Sequence, residues 1–347
     1  MNFELLQRLC QAPGIAGREH AVRDIVRQEL QPLVNDVRVD RLGNLIGIRN
    51  GSGPRIIVAA HVDEIGFLVR HIDDDGFLRL QPVGGFDPKV LIAQRVLVHR
   101  RTGDPVPGAL QPGTKPVHLQ AGGESKEIKL EDLFVDTGLP ASTVKETISI
   151  GDMVTLDRDT VRMGDNVTSK ALDDRLGVYV MIEGIRAATR TDAHIVAVAT
   201  TQEEVGLRGA TTAAYDLEPD ISIALDVTIA GDVPGMPADA AVTRLGNGAA
   251  IKVYDSSHIP SHEVVEQLRS IAEQEGIPYQ LEILPRGGTD AAAMQRSRTG
   301  SYAGTISIPC RYVHTVNETA READIDACVR LLASFIDKVD LGSLRLW

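Results

Sequence analysis

The residues that decide the fold are Ile56-Ile57-Val58-Ala59-Ala60-His61-Val62-Asp63, an apolar run of strand length that ends in a histidine and an aspartate. Three more apolar runs end in polar side chains in the same way: Ile195–Ala199 before Gln202-Glu203-Glu204, Ile221–Leu225 before Asp226, and Ile306–Ile308 before Tyr312-Val313-His314. After residue 170 strand patterns alternate with helical ones, which is typical of a parallel or mostly parallel sheet. In open α/β sheets, ligands gather beyond the carboxyl ends of the strands. The sequence therefore predicts an α/β fold, with a mostly parallel central sheet flanked by helices and a ligand site at one edge.

Five polar residues at the strand ends and at the start of one helical pattern are predicted to form a metal site. They are His61, Asp173, Glu204, Asp226 and His314. Two histidines and three or four carboxylates make a suitable cage for divalent zinc, cobalt or manganese. Simpler interpretations exist, since Asp173-Asp174 could be a helix cap and Glu203-Glu204 a solvated strand end. The recurrence of such groups at four separate strand ends favours the metal site.

Composition excludes several classes of function. A net charge of −12 argues against nucleic acid as the main partner, because phosphate binding needs clustered Lys and Arg. The three cysteines are far apart and fit no zinc or redox spacing, and few scattered thiols suit a reducing cytosol. The start of the chain lacks a signal-peptide pattern, and no run approaches the roughly 18 apolar residues of a membrane span. We therefore predict a cytoplasmic protein.

The chain is predicted to contain a β-rich domain inserted into a larger one. Helical patterns are absent between residues 67 and 162, where short strand patterns such as Phe67–Ile72 alternate with Gly- and Pro-rich links. The larger domain would then comprise residues 1–66 and 163–347, and the insert residues 67–162. Within the insert, the polar stretch Gln111–Lys129 is predicted to be a loop.

Five segments spread over nearly the whole chain carry recognisable motifs. They are Pro13-Gly14-Ile15-Ala16-Gly17-Arg18-Glu19, His61-Val62-Asp63-Glu64-Ile65-Gly66, Asp173-Asp174-Arg175-Leu176-Gly177, Gln202-Glu203-Glu204-Val205-Gly206-Leu207-Arg208-Gly209 and Arg286-Gly287-Gly288-Thr289-Asp290. Together they resemble the M42 family of dinuclear metallo-aminopeptidases, which includes the tetrahedral aminopeptidases and the glutamyl aminopeptidases. The resemblance implies a catalytic domain of the dizinc-peptidase type with an inserted β-rich dimerisation domain.

The resemblance also implies a role for each candidate metal ligand. Asp173 would bridge two divalent ions. Glu204 and His314 would complete the site of one ion, and His61 and Asp226 would complete the site of the other. The ions would be zinc or cobalt in the first place, with manganese as a further candidate.

Further residues receive roles from the same resemblance. Asp63 would orient the neighbouring histidine, and Glu203 would be the general base. The peptide bond between Asp173 and Asp174 would be cis. The family places the 287–290 loop close to the site, so Thr289 and Asp290 are candidates for the substrate wall. On the sequence alone, a helix cap before residue 291 is the preferred interpretation of that loop.

The chemistry of peptide hydrolysis fits these residues. The reaction needs an activated water, a polarised carbonyl and a proton for the leaving amine, and two divalent ions about 3.5–4 Å apart can supply the first two. Glu203 and Glu204 are adjacent on a segment predicted to be extended, so their side chains should point opposite ways. One could then bind metal while the other acts as the base. A free substrate α-amine could bind at the cluster, which predicts removal of the N-terminal residue from short peptides.

The resemblance implies a homo-oligomer, a tetrahedral dodecamer built from dimers, with active sites that face an inner chamber. Such a chamber would admit short peptides and exclude folded proteins. The insert would mediate assembly, because its patterns Phe67–Ile72, Phe77–Leu80 and Arg95–His99 carry apolar residues that a small domain can bury only in part. Leftover apolar surface usually marks an interface.

Three other functions are left open by the sequence. A related dizinc carboxypeptidase or deacylase would share the catalytic domain but usually carries an α/β insert. A glycosidase needs two carboxyls about 5–9.5 Å apart and no metal cage, which would leave His61 and His314 without a purpose. A non-catalytic assembly protein is disfavoured by intact candidates at all six metal and base positions. The sequence specifies neither the preferred N-terminal residue nor the metal.

Overall fold

The structure, a computed structural model, describes residues 1–115, 117–119, 127–190 and 192–344. Part of the loop predicted over Gln111–Lys129, namely residues 116 and 120–126, lies outside the described residues. Within the described ranges, no helix combines the length and the apolar character that a membrane crossing requires.

Strands form the centre of both parts of the molecule. In chain order they are β1 (Asp36–Val39), β2 (Leu45–Arg49), β3 (Arg55–His61), β4 (Gly66–Ile72), β5 (Leu78–Val83), β6 (Arg95–His99), β7 (Val106–Pro112), β8 (Leu133–Asp136), β9 (Met153–Leu156), β10 (Val161–Met163), β11 (Asn166–Ser169), β12 (His194–Thr200), β13 (Ile221–Ile229), β14 (Ala249–Tyr254), β15 (Tyr279–Ile283), β16 (Tyr302–Arg311) and β17 (Glu318–Arg321).

Helices connect and cover these strands. They are α1 (Phe3–Gln11), α2 (His20–Leu30), α3 (Pro88–Leu91), α4 (Ala141–Thr147), α5 (Leu172–Ala187), α6 (Arg208–Leu217), α7 (His262–Gln274), α8 (Ala291–Gln295), α9 (Glu322–Lys338) and α10 (Leu341–Leu344). Two further single turns are 3₁₀-helical, at Val117–Leu119 and Leu130–Asp132.

The large sheet is mixed: its four central strands and the β14–β15 pair are parallel, and its other pairings are antiparallel. Its strands follow the order β1-β2-β12-β3-β13-β16-β17-β11-β10, and β14 joins β16 to β15. Strands β12, β3, β13 and β16 are mutually parallel, whereas the pairings toward both ends of this order are antiparallel. The expectation of a mostly parallel sheet is therefore too simple. The βαβ rhythm predicted the centre but not the outer pairings, of which β1–β2, β10–β11 and β16–β17 are joined by short links that need no crossover helix.

Helices cover both faces of the central strands because consecutive residues of a strand point to opposite faces. On β3, Ile56 and Val58 pack into the core beneath α1, α2, α5, α7 and α9, whereas Ile57 and Ala59 face the smaller core under α6 and α8. Helix α5 is buried along nearly its whole length, between the sheet and α9. A helix that is apolar on every side is typical of such a position. This packing fixes the positions of the strands that carry the candidate site.

The insert is a closed barrel of six strands, in the order β4-β5-β8-β7-β6-β9. It runs from Gly66 to Leu156 and has its own apolar core, which includes Phe67, Val96 and Val135. Helices α3 and α4 also lie in this segment, where the sequence predicted no helix, because both are too short to show a helical period. The predicted boundary at residues 162 and 163 falls within β10, which pairs with β11 in the large sheet.

Candidate active site

The carboxyl ends of the parallel strands meet at one edge of the sheet and bring the candidate residues together. His61 is the last residue of β3, and it lies beside Thr200, the last residue of β12. The chain then leads directly to Glu203 and Glu204, while Asp226 lies within β13. The remaining candidates come from the start of α5 and from the loop that joins β16 to β17. Residues from five separate segments thus converge on one point.

Asp173 lies at the centre of this group. Its Oδ1 is 3.1 Å from Nε2 of His61, and its Oδ2 is 3.3 Å from Nε2 of His314. The two oxygens of one carboxylate therefore face two different imidazoles. Two sets of ligand atoms follow, each within 4.8 Å: His61, Asp173 and Asp226 form one, and Asp173, Glu204 and His314 form the other.

Both imidazoles are held so that Nε2 faces the centre. The Nδ1 of His61 lies 3.0 Å from the backbone carbonyl of Asp63, and the Nδ1 of His314 lies 2.9 Å from the backbone carbonyl of Gly85. A carbonyl can only accept, so Nδ1 carries the proton and Nε2 of a neutral ring keeps a free lone pair. Gly85 follows β5, so the barrel contributes directly to the orientation of His314.

The Asp63 side chain lies beside His61 and also contacts the backbone of the two glutamates. Its Oδ1 is 3.6 Å from Nδ1 of His61, which is too long for a hydrogen bond, and the backbone carbonyl orients the ring instead. The buried carboxylate accepts the backbone N–H groups of Glu203 and Glu204, at 3.0 and 3.1 Å. Asp63 thus fixes the segment that carries both glutamates.

The side chains of Glu203 and Glu204 point apart as predicted, but the backbone that carries them is not an extended strand. Gln202 has a left-handed conformation, with φ of 58°, and the chain turns from Glu204 onward, so this segment is not a strand. Even so, Glu203 Oε2 is 3.9 Å from Nε2 of His61, while Glu204 Oε1 is 3.4 Å from Nε2 of His314. The two carboxylates therefore reach opposite ends of the group.

Asp174 supplies the helix cap that the sequence left open for the aspartate pair. The peptide bond between Asp173 and Asp174 is cis, as the family resemblance implies. Oδ1 of Asp174 accepts the N–H of Gly177 at 2.9 Å, as a helix cap does, and Oδ2 accepts the N–H of His61 at 3.3 Å. This side chain thus ties the start of α5 to the end of β3.

The site buries more negative charge than its own residues offset. Burial raises the pKa of Glu203 and Asp226 well above the usual range, and neighbouring carboxylates add to the effect. Burial opposes the charged form of His314, yet its contacts with Asp173 and Glu204 outweigh this and raise its pKa to about 12. A positive charge at the centre of these carboxylates would therefore stabilise them in their ionised form.

The donor set fits divalent cations. Imidazole nitrogens and carboxylate oxygens are preferred ligands of zinc, and they also suit cobalt and manganese. Among the described residues, the buried Oε1 of Glu204 has no hydrogen-bond partner. A cation between Asp173, Glu204 and His314 would satisfy that oxygen and neutralise the excess charge.

A cavity of about 340 Å³ opens onto this group. Its lining is Val227, Thr228, Ile229, Leu284, Arg286, Gly287, Gly288 and Val313, together with the candidate ligands and Glu203. Thr289 and Asp290 are not part of it, contrary to their expected place in the substrate wall. The chain turns inward after Gly288, so both side chains are buried, and Asp290 accepts the hydroxyl of Thr200 at 2.5 Å. The glycines and Arg286 form the wall instead.

Three contributors were not predicted from the sequence. Gly85 acts through its carbonyl, for which no residue-type signal exists, and Leu284 precedes the recognised motif. Glu318, four residues after His314, is buried against the site. A lone glutamate at the start of a short strand resembles an ordinary solvated residue, so only the folded chain identifies it.

Comparison with known proteins agrees with this geometry. The family model for M42 glutamyl aminopeptidase matches residues 43–331. The chain belongs to this family. A putative aminopeptidase from Acetivibrio thermocellus is 41% identical over 96% of this chain and 98% of its own length.

Solved structures of aminopeptidases are similar along the whole chain. Aminopeptidase APDkam598 from the archaeon Desulfurococcus kamchatkensis has a TM-score of 0.94 and 40% identity, covering 99% of this chain and 96% of its own. The TET1 peptidase of Pyrococcus horikoshii, described as assembling into a tetrahedron or a large octahedral shell, has a TM-score of 0.85 and 32% identity, covering 97% and 99%. The family and the aminopeptidase activity predicted from the sequence are confirmed.

The contacts of Asp63 lead to the first prediction. In Asp63→Asn, one oxygen becomes an NH₂ group that faces a backbone N–H, so the segment with both glutamates loses a bond and shifts. We expect metal affinity and turnover to fall about 10- to 100-fold, the usual range for a residue that supports metal ligands. Metal titration and kcat/KM would measure this. Asp73→Asn is a control for the chemical change alone, because Oδ1 of Asp73 accepts two backbone N–H groups in a turn of the barrel that carries no candidate ligand. Normal metal binding in Asp63→Asn would contradict the assignment.

Proposed function

We propose that this chain is a metallo-aminopeptidase that removes the N-terminal residue from short peptides at a site for two divalent cations. The observation that carries the proposal is the geometry of Asp173, whose two oxygens face two imidazoles with Nε2 turned inward. Each half of the site then has one further carboxylate, from Asp226 on one side and Glu204 on the other. A shared carboxylate with one histidine and one acid on each side offers a group of ligands to each of two cations.

The proposed ligand assignment follows from these groups. Asp173 would be shared, His61 and Asp226 would complete one position, and Glu204 and His314 the other. Zinc or cobalt is proposed in the first place, with manganese as a further candidate, because all three accept mixed nitrogen and oxygen ligands. When bound, the cations would polarise the scissile carbonyl and make a water acidic enough to deprotonate near neutral pH.

Glu203 is proposed as the general base. It belongs to neither set of ligands, yet its Oε2 is 3.9 Å from Nε2 of His61 at the edge of the cavity. A carboxylate that stays free can accept a proton from water and pass it to the leaving amine. Burial, which raises its pKa, makes Glu203 better able to hold that proton. Asp63 would keep Glu203 in place through the backbone.

The cavity supports a small substrate. Its volume of about 340 Å³ is at the lower end of the range for small-molecule sites, so it fits one or two residues of a peptide. Ile229, Leu284 and Val313 supply apolar contacts beside the acidic group. A free α-amine drawn toward that group would set the cleavage point after the first residue.

A homo-oligomer, in the form of a tetrahedral dodecamer built from dimers, is proposed, and its support is that the TET1 peptidase of Pyrococcus horikoshii is described as assembling into a tetrahedron or a large octahedral shell. A solved chain 31% identical to this one is described as a dodecamer. The apolar residues expected to remain exposed on the insert, such as Phe67 and Val96, are buried because the strands close into a barrel. Large exposed apolar side chains lie on the catalytic part as well, including Leu281 and Ile283 on β15. The proposed interface therefore includes this strand besides the barrel.

A reducing, cytoplasmic location is proposed from the cysteines. All three are free and buried, and disulfides are rare in that compartment.

The second prediction tests the activity itself. The purified chain should hydrolyse aminoacyl-p-nitroanilides, lose this activity in EDTA, and regain it with added zinc, cobalt or manganese. N-acetylated versions of the same substrates should resist cleavage, because the free amine is lost. Cleavage of the acetylated compounds at an equal rate would point to a deacylase or carboxypeptidase. Activity that survives complete removal of metal would overturn the mechanism.

The third prediction separates the two glutamates. Glu203→Gln should lower kcat by about 10²- to 10⁴-fold, the usual worth of a general base, while metal content remains nearly normal. Glu204→Gln should weaken the binding of one cation as well, because a ligand oxygen is replaced by a poorer donor. Elemental analysis beside kinetics would distinguish them. Equal loss of metal in both variants would refute this division.

The fourth prediction concerns assembly. Light scattering should find a particle of about twelve times the 37.4 kDa chain mass, and long peptides or folded proteins should be cleaved poorly. Leu281→Glu and Ile283→Glu, which place charge on β15, should reduce the particle mass. A stable, fully active monomer at micromolar concentration would remove the size filter from this proposal.

A further inference from the structure

Glu318, the first residue of β17, connects two of the candidate ligands through their backbones. Its Oε1 accepts the N–H of His314 at 2.7 Å, and its Oε2 accepts the N–H of Asp173 at 3.0 Å. The side chain is only 2% exposed. A buried carboxylate whose two oxygens each accept a backbone N–H fixes the separation of those two groups.

The backbone segments of His314 and Asp173 both need a hydrogen-bond partner that fixes their position. His314 lies in the loop between β16 and β17 and has a φ of 63°, while Tyr312 has a φ of 61°. Side chains disfavour this left-handed region, so the loop conformation requires support from its surroundings. Asp173 lies before the regular turns of α5, where the backbone has left the helical conformation. Neither ligand is therefore held by the hydrogen bonds of a regular element.

Glu318 itself is firmly placed. Its backbone pairs with Ser169 of β11 in the large sheet. Its carbonyl also accepts the hydroxyl of Thr168 at 2.9 Å. The carboxylate thus extends from an anchored strand to two segments that lack such an anchor. By contrast, His61 and Asp226 lie on the central strands β3 and β13, where pairing with neighbouring strands holds them, and the carboxylate that accepts the N–H of His61 is that of Asp174.

We propose that Glu318 is a positioning residue for the cation held by Asp173, Glu204 and His314. This inference rests on the proposed metal site. Two of the three ligands at that position depend on Glu318, whereas the position completed by His61 and Asp226 shares only Asp173 with it. Loss of the Glu318 carboxylate should therefore weaken one cation selectively.

The chain offers a matched control in Asp324. This carboxylate is 1% exposed and also accepts two backbone N–H groups, from Gly246 at 2.7 Å and Gly248 at 2.8 Å. It supports a turn that carries no candidate ligand. Asp324→Asn therefore imposes the same chemical change on a similar buried arrangement, without moving the site.

The experiment titrates metal-free wild-type, Glu318→Gln and Asp324→Asn chains with Co²⁺ and measures bound cobalt by equilibrium dialysis and elemental analysis. In Glu318→Gln an NH₂ group faces one backbone N–H, so we expect one cobalt to bind normally and the other about 10- to 100-fold more weakly. Asp324→Asn should bind two cobalt ions as the wild type does. Peptidase activity of Glu318→Gln should rise again with excess Co²⁺, and thermal unfolding of the metal-free chains should show comparable stability for both variants.

The remaining possible results distinguish a failure of the positioning role from a failure of the proposed metal site. Two normal cobalt ions in Glu318→Gln, or equal losses in Glu318→Gln and Asp324→Asn, would overturn the positioning role. A wild-type chain that binds fewer than two ions would instead overturn the proposed metal site. If Glu318→Gln does not fold, Glu318→Asp serves in its place, because the shorter side chain keeps the charge but reaches only one N–H. The same selective weakening is then expected, and normal binding would refute the role.

Discussion

Burial of several carboxylates around one point is the constraint on which this structure depends. Asp173, Glu203, Glu204 and Asp226 lie together at the sheet edge, and Nε2 of His61 or His314 lies within 3.9 Å of a carboxylate oxygen of Asp173, Glu203 and Glu204. Burying like charges without compensation is costly, so the group is stable only if positive charge occupies its centre. The pKa of His314 is raised for this reason, because Asp173 and Glu204 favour the positively charged ring. Divalent cations would meet it, and the same positive charge would serve peptide hydrolysis.

A second set of carboxylates holds the backbone segments that carry the first set. Asp63, Asp174 and Glu318 turn their oxygens toward backbone N–H groups, and each of them holds a segment that carries a ligand or the proposed base. Backbone N–H groups stabilise a buried carboxylate without adding a counter-ion that would compete for the ligands. The acidic residues of the site thus fall into two groups: some are proposed metal ligands or the proposed base, and others fix the geometry of those residues. The barrel takes part as well, through the carbonyl of Gly85.

The sequence predicted the parts of the site that follow from regular structure. His61 and Asp226 were predictable because strand ends converge at one edge of a parallel sheet. Contacts made by backbone atoms were not predictable, so the sequence did not indicate that the Asp63 carbonyl contacts Nδ1 of His61. Burial of Asp290 was missed because the direction of a turn after two glycines depends on the packing of α8. The antiparallel outer strands were missed for a similar reason, since strand order is set by tertiary contacts that leave no local pattern.

The central claim is that two cations share Asp173. The most direct measurement is anomalous X-ray diffraction at the cobalt edge from crystals of the cobalt-loaded protein. We expect two peaks that both contact Asp173, one also contacting His61 and Asp226 and the other Glu204 and His314. A single peak, or two peaks of which one does not contact Asp173, would contradict it.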